Sequence, residues 1–196
     1  MIHYVTGTDL WLYPNLARTM FADRATQFYK QFGWPVSVDR HGHERDLCDQ
    51  INPIYIILSD GYGNHSGSLR LLPTTSAEGM NVAFPSAFND GLISDRPIWH
   101  CTRFCLSPAA EPNVTTKLFA SAGRLMQEFQ IRYLLAILDW RMMRQFRISG
   151  VPPELLGNGN IVRASMMTGL WQFDYRQLSN QKIMRLVELI AQLKQA

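Results

Sequence analysis

The sequence predicts an α/β fold, a mixed β-sheet covered by helices on both faces. Three observations carry that prediction. Short apolar runs of strand length, Ile54–Leu58, Gly67–Pro73 and Trp99–Leu106, come early and are bounded by Gly or Pro. Helical and strand patterns then alternate: Thr115–Gln130 is amphipathic, Tyr133–Leu138 is an apolar run, and Arg141–Arg147 is helical. Strands grouped early and then alternating with helices give a mixed sheet with two covered faces. Finally, 46% of the 196 residues are hydrophobic and 18% are charged, enough apolar material for one core. With no repeat, low-complexity tract or linker, the expectation is one domain over residues 1–196.

The same totals set aside several classes of function. A formal charge of +3 without any Lys/Arg run does not suit nucleic acid. Cys48, Cys101 and Cys105 are an odd number without CxxC spacing, so neither a disulfide framework nor a zinc site is expected. Met1–Gly7 lacks the basic and apolar regions of a signal peptide. No apolar run reaches the ~18 residues of a membrane helix. The expectation is a soluble, cytoplasmic protein without a membrane partner.

Taken in order, Leu16–Phe32 reads as the first helix, entered after Pro14 and stopped by Gly33. Leu16, Met20, Arg24, Phe28 and Phe32 recur every fourth residue and share a face. Arg24 therefore lies in an apolar stripe, and one reading is an arginine snorkelling at its edge. The charged segment Asp39–Asp49 reads as a loop. Its His41-x-His43 resembles the start of a metallo-hydrolase signature, but Arg45 stands where aspartate is required, so no metal is expected. Asp60–Asn64 is a turn joining two strands into a hairpin. Glu78–Asp95 reads as a loop with a short helix, Asn160–Phe173 as the location of a last strand, and Leu178–Leu193 as a closing helix.

One anomaly stands out. Arg70 and Arg103 lie inside runs that read as buried strands. A buried guanidinium stripped of its partner costs about 3–5 kcal/mol. Each therefore requires a carboxylate or an anionic ligand from elsewhere in the chain.

These residues, taken together, resemble the acyl-homoserine-lactone synthases, the autoinducer synthases of bacterial quorum sensing. The resemblance runs from Arg24 to Met142. Its pieces, in order, are Arg24-x-x-x-Phe28, Trp34, the acidic set Glu44, Asp46 and Asp49, the run Gly67–Thr75, Phe84, and Trp99-His100-Cys101-Thr102-Arg103-Phe104. Cys48 stands where the family usually has an aromatic residue. The resemblance implies a three-layer α/β/α sandwich close to the N-acetyltransferases. It also implies acyl transfer from an acyl carrier protein or acyl-CoA to the amine of S-adenosylmethionine. Lactone closure then releases methylthioadenosine, with no metal or cofactor.

On that resemblance the catalytic set is Asp46, Asp49, Arg70, His100 and Arg103. The aspartates pair with the arginines or meet the cationic substrate, and the alternative is a set of structural salt bridges. Arg24, Phe28, Trp34 and Phe84 are implied around the substrate, where Trp34 stacks on its cationic end. Thr102 belongs to the same motif. Cys101 and Met126 line the acyl pocket or belong to the core, and Ala136 matches a position on the acyl side. Ala136 offers no hydroxyl where members preferring 3-oxo chains carry threonine, which favours an unsubstituted, branched or aryl acyl group. Arg141, Arg144 and Arg147 form a basic helix face suited to an acidic carrier.

His100 departs from the family, which has glutamate there as a proposed general base. Histidine is a base better matched to neutral pH than a carboxylate. A core-facing histidine is the other reading. Regular strand alternation would put His100 and Arg103 on opposite faces, so both reach one cleft only if the strand bulges between them. Two alternatives follow from the departure: an N-acyltransferase with another amine acceptor, or a non-catalytic homologue.

Overall fold

The computed structural model describes residues 1–73, 98–156 and 166–173. Seven strands form one sheet: β1 (Ile2–Thr6), β2 (Ile54–Ser59), β3 (His65–Pro73), β4 (Ile98–Leu106), β5 (Tyr133–Asp139), β6 (Glu154–Leu156) and β7 (Met166–Gln172). Their order is β1-β2-β3-β4-β5-β7-β6. Every neighbouring pair is antiparallel except β4 and β5. The sheet is therefore mixed, as the alternation of patterns predicts.

Alternation along the strands assigns the two faces. Ile56, Leu58, Leu69, Leu71, Cys101 and Phe104 pack with α2 (Val114–Glu128) and α3 (Trp140–Ile148). Tyr55 and Ile57, the intervening residues of β2, pack with Leu16, Met20 and Phe21 of α1 (Pro14–Arg24). Helices thus cover both faces of the sheet. Gly67 permits the close approach of α2, because a Cβ there would lie 2.5 Å from Val114 Cγ1.

The first helix differs from its expected form. It is α-helical only to Arg24, and Ala25–Gln31 continues as a π-helix. Gly33, at φ +64°, follows its end, as the sequence predicts. The edge strands β1 and β6 are additional to the sequence reading. Both are short, and so give little period to detect. The expected segments Glu78–Asp95 and Leu178–Leu193 lie outside the described residues, as do Thr74, Thr75 and Phe84.

Two local features shape the middle of the sheet. Ser68 pairs with Cys105 and Arg70 with Thr102, so the single residue Leu69 faces both Arg103 and Phe104. This is a β-bulge, and Arg103 carries it at φ +50°, a conformation unusual for a side chain-bearing residue. In addition, the parallel β4–β5 ladder covers only Ile98–His100 against Tyr133–Leu135. Beyond those pairs the ladder ends, and a cavity of about 230 Å³ is lined by residues of both strands.

Candidate active site

The floor of the cleft is a closed ring of ion pairs. Arg24 bonds Glu44 at 2.6 Å and grips both oxygens of Asp49 at 2.9 Å. Arg70 bonds Asp49 at 2.8 Å and also pairs with both oxygens of Asp46. Arg103 bonds Asp46 at 2.7 Å and Glu44 at 2.8 Å, which closes the circuit. Each of the three arginines bridges two carboxylates, and each carboxylate bridges two arginines. The charges cancel within the ring, so the guanidinium groups are satisfied by the chain itself.

Local structure explains how a short charged loop supplies all three acids. Asp46 and Asp49 flank a single turn, each accepting from the other's backbone N–H at 3.2 and 2.8 Å. Tyr55 of β2 donates its hydroxyl to Asp49 at 2.6 Å. The Glu44 N–H donates to the Phe21 carbonyl oxygen, seating the loop on α1. Burial raises the carboxyl pKa of both aspartates, and the arginines outweigh it. Asp49 is held well below the usual range chiefly by Arg24, then Arg70, while Asp46 is held below it by Arg70 and then Arg103.

Ring members differ in what they present to the cleft. The side chains of Arg24, Glu44, Arg70 and Asp49 are 1–7% exposed, whereas Arg103 and Asp46 are 18% and 27% exposed. Arg24 is therefore not a snorkelling arginine. Neither it nor Asp49 lines the cavity. Both sit behind the residues that do, and Asp49 takes the expected pairing with arginines, Arg24 and Arg70. Asp46, Arg70 and Arg103 do line it, and so do Phe28, Trp34, Cys101, Thr102 and Ala136. The Thr102 hydroxyl is engaged by Arg70, whose Nε donates to it at 2.9 Å. Met126 is fully buried in the core and away from the lining, so of its two expected places the core is the one it takes.

The bulge condition is met. Ile98, His100 and Thr102 share the α1 side of β4, and the extra residue brings Arg103 into one cleft with His100. His100 is buried, at 6% exposure. Burial, then the charges of Arg70 and Arg103, push its pKa down to about 3. It is therefore neutral at physiological pH. The expectation of a base better matched to neutral pH than a carboxylate does not hold in this environment.

At the other end the cleft is apolar and aromatic. Phe104, Met142, Phe146 and Trp171 line it beside Cys101 and Ala136. Phe104 and Phe146 lie 4.8 Å apart, Phe146 and Trp171 5.2 Å, and Phe119 backs all three. The indole N–H of Trp171 donates to the Val151 carbonyl oxygen at 2.9 Å, which fixes the ring. Burial raises the Cys101 thiol to about 12, so it behaves as an apolar wall. At the mouth, Trp34 stacks on Phe28 at 5.2 Å, so one face of the indole is already covered.

Sequence reasoning did not single out Glu44 as a site residue, although it lies in the acidic motif. Its charge in a segment bearing two arginine-seeking aspartates was the available signal. Phe146 and Trp171 gave none, because aromatic residues at helix and strand spacing read as ordinary core. His41 and His43 sit on the surface loop, and no metal-binding cluster occurs among the described residues.

Charged floor, apolar wall and a sheet parted between parallel strands describe the cleft of an N-acetyltransferase-like acyl-transferring enzyme. Comparisons with known proteins agree and go further. Residues 11–177 match the family described as Autoinducer synthase. The acyl-homoserine-lactone synthase of Rhizobium etli is 34% identical over 159 residues, covering 78% of this chain and 74% of that protein. The isovaleryl-homoserine lactone synthase of Bradyrhizobium diazoefficiens is 26% identical over 162 residues, covering 80% and 72%. Among solved structures, a CoA-dependent acyl-homoserine lactone synthase, BjaI, with SAM and isopentyl-CoA, superposes with TM-score 0.75. It is 21% identical, and the match covers 97% of this chain and 89% of that one. A putative N-acetyltransferase from Lactobacillus plantarum matches at TM-score 0.58 and 14% identity, covering 88% and 99%. The chain belongs to the autoinducer synthase family. It is an acyltransferase, an acyl-homoserine-lactone synthase.

Proposed function

We propose that the cleft acylates the amine of S-adenosylmethionine at its charged end, with the acyl chain in the aromatic end. The observation that carries this reading is the position of Arg103 and Asp46. They are the least buried members of a neutral ring and sit where the open edge of β4 meets the cavity. Asp46 meets the amine and sulfonium, while Arg103 holds the substrate carboxylate. The amine nitrogen attacks the thioester carbonyl and the thiol leaves. The carboxylate oxygen then attacks the carbon bearing the sulfonium, the C–S bond breaks, and methylthioadenosine departs. Holding carboxylate and carbon together supplies most of what this closure needs.

His100 serves as a neutral polar group of the cleft rather than as a strong base. A free α-amine titrates near 8, so a fraction of it is already neutral near neutral pH. Asp46 beside it favours the charged form, and the amine must lose its proton before it attacks. The reaction as written uses S-adenosylmethionine as a substrate and requires neither cofactor nor metal. Both substrates are cytoplasmic, which is where this reading places the enzyme. No helix among the described residues is long and apolar enough to cross a membrane.

The acyl group is compact: short, branched or aryl. A fixed aromatic wall blocks a long chain, and Ala136 supplies no hydroxyl to a 3-oxo group. The donor is an acyl carrier protein or acyl-CoA. On α3, Arg144 and Arg147 are exposed and available to an acidic carrier. Arg141 is committed to Asp139 at 2.9 Å and lies 4.3 Å over Phe32. Incubation with S-adenosylmethionine and a panel of acyl-CoA and acyl-carrier donors tests the reading. Methylthioadenosine is the expected product. Its absence with every donor sinks the proposal, and an acylated amine without it points to another acceptor.

A further inference from the structure

Where β4 and β5 part, β4 keeps β3 on one side and loses its partner on the other. Backbone groups on such an edge must be satisfied by something. At the outer end of β4 the partner is a side chain. Gln27 Nε2 donates to the Phe104 carbonyl oxygen at 2.8 Å, and the Leu106 N–H donates to Gln27 Oε1 at 3.0 Å. A carbonyl and an N–H two residues apart on a strand point to the same side. The Ser107 N–H bonds Ser66 on the β3 side, so Phe104 O and Leu106 N–H point the other way, toward the parting. One amide thus does the work of a strand segment. Gln27 is buried, at 8% exposure.

The placement matters because of what lies between. His100 is the last β4 residue paired to β5, and Phe104 is the first one held by Gln27. The intervening residues Cys101, Thr102 and Arg103 all line the cleft and include the bulge. Gln27 also belongs to the π-helix, between Arg24 of the ion ring and Phe28 of the cleft wall. Wide π turns inside helices commonly occur at functional sites. Here one helix reaches the ring, the strand edge and the wall with three nearby side chains.

We propose that Gln27 is a positioning residue: its amide substitutes for β5 and holds the bulged edge of β4 open to the substrate. It touches no substrate and acts through the Cys101–Arg103 edge. The inference rests on the acyltransferase reading for its catalytic readout, but not for its structural one.

The test pairs Gln27→Met, which keeps volume and loses both hydrogen bonds, with Gln27→Glu, which keeps an acceptor for Leu106 and loses the donor to Phe104. Hydrogen exchange over residues 98–106, read without substrate, should quicken in both variants while α2 is unchanged. In the methylthioadenosine assay, Gln27→Met should lose about tenfold or more in kcat, since small misplacements near reacting groups cost up to ~100-fold. KM for S-adenosylmethionine should move less, because the ion ring is intact. Gln27→Glu should fall between Gln27→Met and the native protein. Native exchange over 98–106, or a Gln27→Met kcat within about twofold of the native enzyme, overturns the proposal. If the native protein releases no methylthioadenosine, the functional reading fails, and exchange alone then decides the role of Gln27.

Discussion

The two ends of the cleft are built by opposite means. Its floor is six charged side chains whose partners are all within the chain, and its far wall is three aromatic rings packed on a fourth, Phe119. The floor is directional, because each guanidinium grips its carboxylates in a fixed plane. The wall is shaped by packing, with one hydrogen bond fixing the Trp171 ring. Removing one member of the ring leaves a charge uncompensated, whereas removing one ring of the wall leaves a space. Both kinds of change should cost stability, and only the second should alter the substrate.

Glu44→Ala offers the sharpest break, since it strips both Arg24 and Arg103 of a buried partner. Loss of one member of a buried ion pair costs about 3–5 kcal/mol. Chemical denaturation should show that loss, and Glu44→Gln should recover part of it. A change below about 1 kcal/mol would mean that the ring is not what holds the floor.

At the aromatic end, Phe146→Ala should cost about 3–5 kcal/mol through cavity formation. Unlike the ring variant, it should gain something. The preferred acyl donor should lengthen by several carbons, read as a shift in the ratio of kcat/KM between short and long acyl donors. An unchanged ratio would place the acyl chain elsewhere.

His100 separates the two ends by pH. Its pKa is about 3 in the folded protein against about 6.5 when unfolded. Between those values the unfolded chain binds the extra proton, so stability falls as pH drops from about 6.5 toward 3. The limiting slope is about 1.4 kcal/mol per pH unit. His65, also depressed by burial, adds in the same direction. His100→Gln should flatten the stability–pH curve in that window. The native pH–rate profile should show no inflection near 6.5 from this group.

The smallest effect expected is at the surface. Arg144→Glu with Arg147→Glu should lower kcat/KM for carrier-bound donors, most clearly at low salt, and leave acyl-CoA turnover near native. Equal loss for both donors would tie these residues to folding instead.

How much of this was legible depended on the kind of interaction. Arg70 and Arg103 announced themselves because charge inside an apolar strand is costly, and Asp46 and Asp49 were the evident source of compensation, whereas Glu44 was not singled out. The interior of the sheet was legible too, since β2, β3, β4 and β5 are apolar runs with plain boundaries. By contrast, Phe146 and Trp171 carry no mark separating a cleft wall from core. His100 stood out in its motif, but its low pKa did not, because burial beside two guanidinium groups is a property of place. Gln27 was a polar residue on a helix, and its partners lie 77 and 79 positions away.

Periodicity and local motifs, written along the chain, specify the inner strands, the helices between them and the family, but not the edge strands β1 and β6. The sequence by itself also required partners for its buried arginines. The tertiary structure alone decided that those partners close a ring, that β4 bulges at Arg103, and that the ladder ends at His100. Each depends on how residues far apart in the chain share space, and burial, register and local charge exist only after that space is formed.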